Sequence, residues 1–289
     1  MRRIRLLFTL IIAFLTLSSF AFGQEVKDIL TINNAIPYFN VKALQAQTYT
    51  ISCKTKNTKG KTKPKFYSNY LEVVDHKFFK LGYSEKHEQP AWVIHLLTKE
   101  MVLEHNAKRS NKFREDYKVS TKSSLPKDYR NSGYDKGHIC PSADMSFSQE
   151  AQDLTFLMSN ISPQLHSFNA GKWHELEKKV REWAVENDSI IVIAGALFDS
   201  IIQTIGKKNK VSVPYRFYKV IVDVSFPSYK AIGFIMENEK LKEELFYYSV
   251  SVSELERITG FNFFPDFDDN MFINNLENNC NIKNWEDKY

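Results

Sequence analysis

The chain has 289 residues, of which 43% are hydrophobic and 25% charged, with 22 Phe and 14 Tyr. That size and composition suit one large domain or two small ones with a sizeable core, and exclude a body disordered along its length. The formal charge is +5, but Arg2, Arg3 and Arg5 lie in the first 23 residues with no acid, so a chain starting at Gln24 carries about +2, too weak a field to draw nucleic acid by itself.

The chain opens MRRIRLLFTLIIAFLTLSSFAFGQ. A basic start, an apolar run from Leu6 to Phe20, and the small residues Ala21 and Gly23 before Gln24 make a cleavable secretory signal peptide over 1–23. The expectation is export, to the medium or the periplasm, with no membrane association after cleavage. No Cys follows the run to carry a lipid, and no later run is long enough to span a bilayer. Residues 24–65 read as a lead-in that ends in CKTKNTKGKTKPK, where six Lys form either a solvated loop or a phosphate-contacting arm. Cys53, Cys140 and Cys280 make an odd set, which an exported chain allows to hold one disulfide; Cys53 with Cys280 is the expected pair.

From residue 66 to 289 one domain is expected. Trp92 to Leu97 reads as a strand, RSNKFR (109–114) as a compact basic patch, and SLPKDYRNSGYDKGH as a loop rich in turn formers. Residues 169–187 carry a helical period, with Trp173, Leu176, Val180 and Trp183 on one stripe. SIIVIAGALF reads as a buried strand, and VPYRFYKVIVDVSF with YKAIGFIM as two more. SVSELERITG is a short helix with Ser253 and Glu256 at capping-box spacing and Gly260 as its stop. The acidic, Asn-rich tail after Pro265 is expected to pack on the domain edge. Strands and helices mix without strict alternation, which predicts an α+β fold with a largely antiparallel sheet.

The stretch YDKGHICPSADM (134–145) crowds Asp135, Lys136, Gly137 and His138 together, and SNISPQLHSFNAGKWHELEKKVR (159–181) follows it. Asn160, Gln164, Asn169, Trp173, Glu177 and Arg181 stand at fixed spacing there. Together the two stretches resemble the DNA/RNA non-specific endonuclease family, the ββα-metal nucleases that include mitochondrial endonuclease G. FRED (113–116), DYRNSGYDKGH and VPYRFYKV also resemble family segments, so the likeness runs over roughly residues 65–265. It implies a ββα-metal nuclease fold, a central largely antiparallel sheet flanked by helices. It also implies hydrolysis of phosphodiester bonds in DNA and RNA with little sequence preference.

The residue chemistry agrees. His138 suits a general base, since imidazole titrates near neutral pH. Gly137 is expected to let the backbone turn before it, and Asp135 to shape the loop or orient the site. Asn169 suits a hard Mg²⁺ ion that keeps most of its waters, with Mn²⁺ as a substitute, and it also suits a helix N-cap. Glu177 is placed to hold a metal-bound water, and Arg181 to meet the phosphate or pair with Glu177 at i, i+4. Asn160 matches a further polar position of the family's site. Arg114 is the first choice for an upstream phosphate contact and Arg109 the second. Trp173 and Trp183 are expected in the core.

Two departures stand out. Lys136 replaces the family's usual Arg and loses the bidentate fork. Cys140 stands where the family more often has a small residue without a thiol, which suggests sensitivity to oxidation. His138, His166 and His174 are not spaced like a zinc set, and no C-x-x-C supports one. Besides the nuclease, a nucleic-acid-binding or uptake protein with a weakened site on the same fold is the alternative, as is a phosphodiesterase acting on short oligonucleotides. A homodimer is left open.

Overall fold

The computed structural model describes residues 52–53, 71–223, 229–264 and 271–286. The expected signal peptide, the lead-in through residue 51 and the Lys-rich stretch 54–65 lie outside the described residues. In chain order the strands are β1 (Ser52–Cys53), β2 (Glu72–Asp75), β3 (Lys80–Ser84), β4 (Gln89–Thr98), β5 (Asp135–His138), β6 (Ile161–Gln164), β7 (Ser189–Ile205), β8 (Val211–Asp223), β9 (Lys230–Glu237), β10 (Ser249–Val250) and β11 (Phe261–Asn262). The helices are α1 (Lys99–Leu103), α2 (Gln149–Thr155), α3 (His166–Asn169), α4 (Lys172–Glu186), α5 (Val252–Thr259) and α6 (Met271–Asn278).

Seven strands form one sheet in the order β10-β9-β8-β7-β4-β3-β2. All its pairings are antiparallel. The expected α+β class with a largely antiparallel sheet is what forms. Its centre is β7, whose opening SIIVIAGALF is buried at every position, as a strand covered on both faces must be.

Helix α4 lies against this sheet through the expected stripe: Trp173, Leu176, Val180 and Trp183 are all buried. Trp173 meets Phe217 of β8 with ring centroids 5.9 Å apart, and Trp183 meets Phe234 of β9 at 6.2 Å. Burying Leu176 and Val180 contributes about 1.5–3 kcal/mol each. The tail packs over the outer end of the same helix. The Trp285 ring lies 4.8 Å from that of Trp183, and Trp183 Nε1 donates to the Trp285 carbonyl at 2.9 Å.

Several local expectations shift. The α5 cap is Ser251, whose side chain accepts from the Glu254 amide, so the capping residues lie two positions earlier than Ser253 and Glu256. Gly260 ends that helix as expected, in the left-handed region at φ 72°. The long helix does not begin at Asn169. Asn169 closes the one-turn α3, and after Ala170 and Gly171 the chain starts again as α4. Asn169 is therefore not an N-cap, and its relation to Glu177 is not that of two positions on one continuous helix.

Strand β1 pairs with β11, Cys53 facing Phe261 in register. Cys280 is a free thiol, so the expected bridge to Cys53 is not made. Among the described residues no helix is long and apolar enough to cross a membrane.

Candidate active site

The DKGH stretch is a strand rather than a loop. As β5 it pairs antiparallel with β6, with Asp135 opposite Gln164, Gly137 opposite Ser162 and His138 opposite Ile161. The turn formers lie just before it. Gly137 serves closeness, not turning: a Cβ there would lie 2.1 Å from Gln164 Oε1, inside any allowed contact.

Asn160 precedes β6 and is fully buried. Its Oδ1 accepts from the Cys140 amide at 2.9 Å, and its Nδ2 donates to the carbonyls of Cys140 at 2.9 Å and Thr155 at 3.0 Å. Every hydrogen of this amide is used on backbone, so the expectation that Asn160 belongs to the reacting site is corrected. It staples the chain after His138 to the chain before β6. Cys140 is buried beside it, and burial pushes its thiol pKa well up. A thiol without solvent or thiolate character is a poor target for oxidants, so the expected redox sensitivity is not supported.

His138 is half-buried between two aromatic rings, 5.4 Å from Phe113 and 4.9 Å from Phe156 by ring centroids. Its Nε2 is buried without a partner among the described residues. Burial first, and the nearby Arg109 charge second, lower its pKa from 6.5 to about 3. The imidazole is thus unprotonated at neutral pH, as a base must be, but burial in this state also weakens it as a base.

Asp135 sits at the other end of the same strand. Its Oδ2 accepts from Asn169 Nδ2 at 2.9 Å and from His166 Nδ1 at 2.8 Å. With its N–H turned to Asp135, Asn169 presents Oδ1, a hard neutral donor, on the opposite side of the amide. His166 is exposed and serves as a second tie on Asp135.

The two arginines resolve in favour of the second choice. Arg109 lies over the Phe156 ring at 5.1 Å and donates to Ser142 Oγ. Burial lowers its pKa and Glu177 opposes that shift, while its own charge acts on His138, so it stands electrostatically between the two. Arg114 instead is exposed and donates to the Asp153 carbonyl at 2.9 Å. Its backbone bonds to Phe156 and Met158, and its side chain lines a cleft with Lys108, Arg109 and Lys112, so it is Arg109 rather than Arg114 whose charge acts on His138.

Glu177 is largely covered, with His174 Nδ1 3.5 Å from its Oε2. The expected i, i+4 partner is elsewhere: Arg181 Nη1 donates to Asp144 Oδ1 at 2.9 Å. Arg181 therefore anchors α4 to the loop after β5 through Nη1, and it also lines the cleft between α1 and α4. Asp144 is buried and also accepts from His95 Nε2 at 3.0 Å. Burial alone would raise its carboxyl, but the His95 hydrogen bond and charge, Arg181 and Lys219 hold it below the usual carboxylate range. Lys136 places its ammonium 5.0 Å over the Phe113 ring, so it backs the aromatic wall of His138.

Motif and spacing do not point to Asp144, His95, Lys219 or the two Phe rings. Lys219 is buried, with its ammonium 4.5 Å over Trp173; burial lowers its pKa, opposed by Glu177, Asp144 and Cys140. A signal for it exists: FYKVIV places one Lys inside an apolar run. Two clefts flank Arg109. One, of about 750 Å³, lies between α1 and α4 and is lined by Leu103, Val185, Ser142 and Arg181 among others. The other, of about 630 Å³, is lined by Lys108, Lys112 and Arg114.

Asn169, whose amide is fixed by the Asp135 carboxylate, fits a divalent ion that keeps most of its water. Among the described residues no three His, Cys, Asp or Glu side chains gather into a cage. A neutral oxygen with a nearby carboxylate suits Mg²⁺ rather than a soft metal.

Residues 57–270 match the family model described as DNA/RNA non-specific endonuclease. The chain is 33% identical over 216 residues to the mitochondrial nuclease EXOG of Danio rerio, covering 70% of this chain and 60% of that one. It is 30% identical to mitochondrial endonuclease G of Homo sapiens over 68% of this chain and 70% of that one. A nuclease of Nostoc sp. is 31% identical, covering 70% and 76%. The chain thus spans about three-fifths of the length of the EXOG relatives it matches. A crystal structure of the EndoG/EndoGI complex aligns with a TM-score of 0.63 and 30% identity, over 68% of this chain and 86% of that chain.

Proposed function

The chain belongs to the DNA/RNA non-specific endonuclease family, and from that premise we propose that it hydrolyses phosphodiester bonds of both DNA and RNA with a divalent ion held at Asn169. The observation that carries this is the tie between Asp135 and Asn169, which joins the ion ligand to the strand that bears His138. His138 takes the proton of the attacking water. Arg109, beside His138 and facing Glu177, neutralises the scissile phosphate. Asn169 Oδ1 would hold the ion, and Glu177 would accept hydrogen bonds from its waters. Mg²⁺ bound there supplies charge stabilisation to the phosphate and to the leaving oxygen. Asp135 keeps the Asn169 amide the right way round. Arg109 reads charge and no base edge, which supports low sequence preference.

Export belongs to the same reading. The basic start and apolar run of residues 1–23 support secretion, with cleavage before Gln24. The EXOG and endonuclease G relatives carry mitochondrial names, so the compartment is tested directly: N-terminal sequencing of protein recovered from medium or periplasm should begin at Gln24.

The activity test is digestion of plasmid and of RNA by the purified mature chain. Both should be cut with Mg²⁺, neither with EDTA, and Asn169→Ala should need far more Mg²⁺ to reach half-maximal rate. Binding of both polymers without cutting would instead support a binding or uptake protein.

A further inference from the structure

The basic stretch RSNKFR, with Lys108 before it, is only partly used by this chemistry. Phe113 faces inward, onto His138 and onto Phe156 at 5.0 Å. Its neighbours Lys112 and Arg114 line a cleft of about 630 Å³ with Lys108, Arg109 and Ser110. Gln149 and Asp153 of the neighbouring helix α2 form the other wall. The walls are tied by groups that leave the lysine ammoniums uncommitted. Gln149 accepts from the Lys108 amide at 2.9 Å and donates to its carbonyl at 3.0 Å. Arg114 is held through its backbone by Phe156 and Met158. Among the described residues Asp153 is the single acid lining the cleft, and its Oδ1 already accepts from Gln149 Nε2 at 3.0 Å.

We propose that this cleft is a phosphate track that holds the backbone of a nucleic-acid strand beyond the scissile bond, entered past Arg109, which the cleft shares with the site. Four cations against one committed carboxylate make it attractive to a polyanion. The aromatic rings nearby are spent on His138, so the cleft has charge without a stacking platform and binds phosphates regardless of base. The inference rests on the nuclease reading and adds where the substrate lies: Lys108 and Lys112 position long substrates and take no part in bond cleavage.

The test is the double variant Lys108→Glu/Lys112→Glu, which spares the backbone bonds of Lys108. Binding is read by anisotropy of a labelled single-stranded oligonucleotide about thirty nucleotides long, in EDTA, with and without the double change in a His138→Ala chain. Affinity should fall about tenfold or more, and the slope of log Kd against log salt should drop by about 1 to 2. In the active chain, KM for the oligonucleotide should rise while kcat stays, and hydrolysis of bis(p-nitrophenyl) phosphate, which is too small to reach the cleft, should be unchanged. Unaltered affinity and salt slope would overturn the track even if cleavage is robust. A parent chain that cleaves neither substrate, yet binds the oligonucleotide in a manner lost in the double variant, would overturn the nuclease reading and leave the track standing.

Discussion

From Ser189 to Phe198, β7 is buried at ten consecutive positions, and what surrounds it is mostly aliphatic and aromatic. The β5–β6 ribbon has four residues a side, and its neighbourhood is polar: Asn160, Ser162, Gln164, Asp144 and Asp116 are all buried around it. In the sheet, burial of apolar area does the holding, and any side chain of the right size serves. Around the ribbon, single hydrogen bonds hold, each to a particular atom, as with Asn160 on Cys140 and Thr155. Asp116 accepts from His76 Nε2 at 2.8 Å and from Ser159 Oγ at 2.5 Å, and so fixes the segment that carries Phe113. The lesson is that stability resides in the region tolerant of exchange, and precision in the region that is not.

The contrast can be broken from either side. The largest effect belongs to His138→Ala, which should cut the plasmid-cleavage rate by about 10²–10⁴ while leaving the melting temperature near that of the parent. Next is a sheet variant, Ile193→Ala, at a fully buried position of β7. It should lower unfolding free energy by about 2–5 kcal/mol in urea titration with kcat preserved well below its melting point; a matching loss of kcat would blur the two regions. Asn160→Ala should cost about 2–4 kcal/mol, because it strands three buried backbone groups, and should lower kcat as well, since the chain after His138 is released.

Gly137→Ala should cost about 1–3 kcal/mol by overpacking against Gln164. Gln164 Oε1 and Nε2 have no partner among the described residues, so Gln164→Ala in the same chain should return most of that loss. An additive double-mutant cycle would show that the glycine is needed for another reason.

The smallest effect is on pH dependence at the sheet's edge. Burial, with a smaller push from Lys86, lowers the His87 pKa from 6.5 to about 4. A folded pKa below the unfolded one contributes stability above about 6.5 that is lost as pH falls toward about 4. In His87→Gln the fall in unfolding free energy across that window should be shallower by up to about one proton; an unchanged slope would place the acid sensitivity elsewhere.

Much of the fold is legible in the order of residues. The α4 stripe, the buried β7 and its two antiparallel neighbours, Trp173 and Trp183 in the core and the family itself all follow from periodicity and motif. They do so because each is local: the elements are decided by what one helix or strand must bury, and the family by the resemblance of two short motifs. Lone polar residues are harder to read. Arg114 and Arg109 look alike in RSNKFR, and Asn160 and Asn169 look alike as motif asparagines. Which arginine meets His138 depends on a backbone bridge between Arg114 and Leu157, which are far apart in the chain. Which asparagine is free depends on where the amide of Cys140 and the carboxylate of Asp135 end up.

By itself, then, the sequence determined the class of fold, the order of its main elements and the presence of a histidine–asparagine pair suited to phosphodiester chemistry, since period and spacing are properties of consecutive residues. Only the tertiary structure decided that DKGH is a strand, that Arg181 answers Asp144 rather than Glu177, and that Arg109 rather than Arg114 stands beside His138. Those choices are competitions for one partner among several distant ones, and a hydrogen bond or ion pair goes to whichever group the packing of the sheet and α4 brings within about 3 Å.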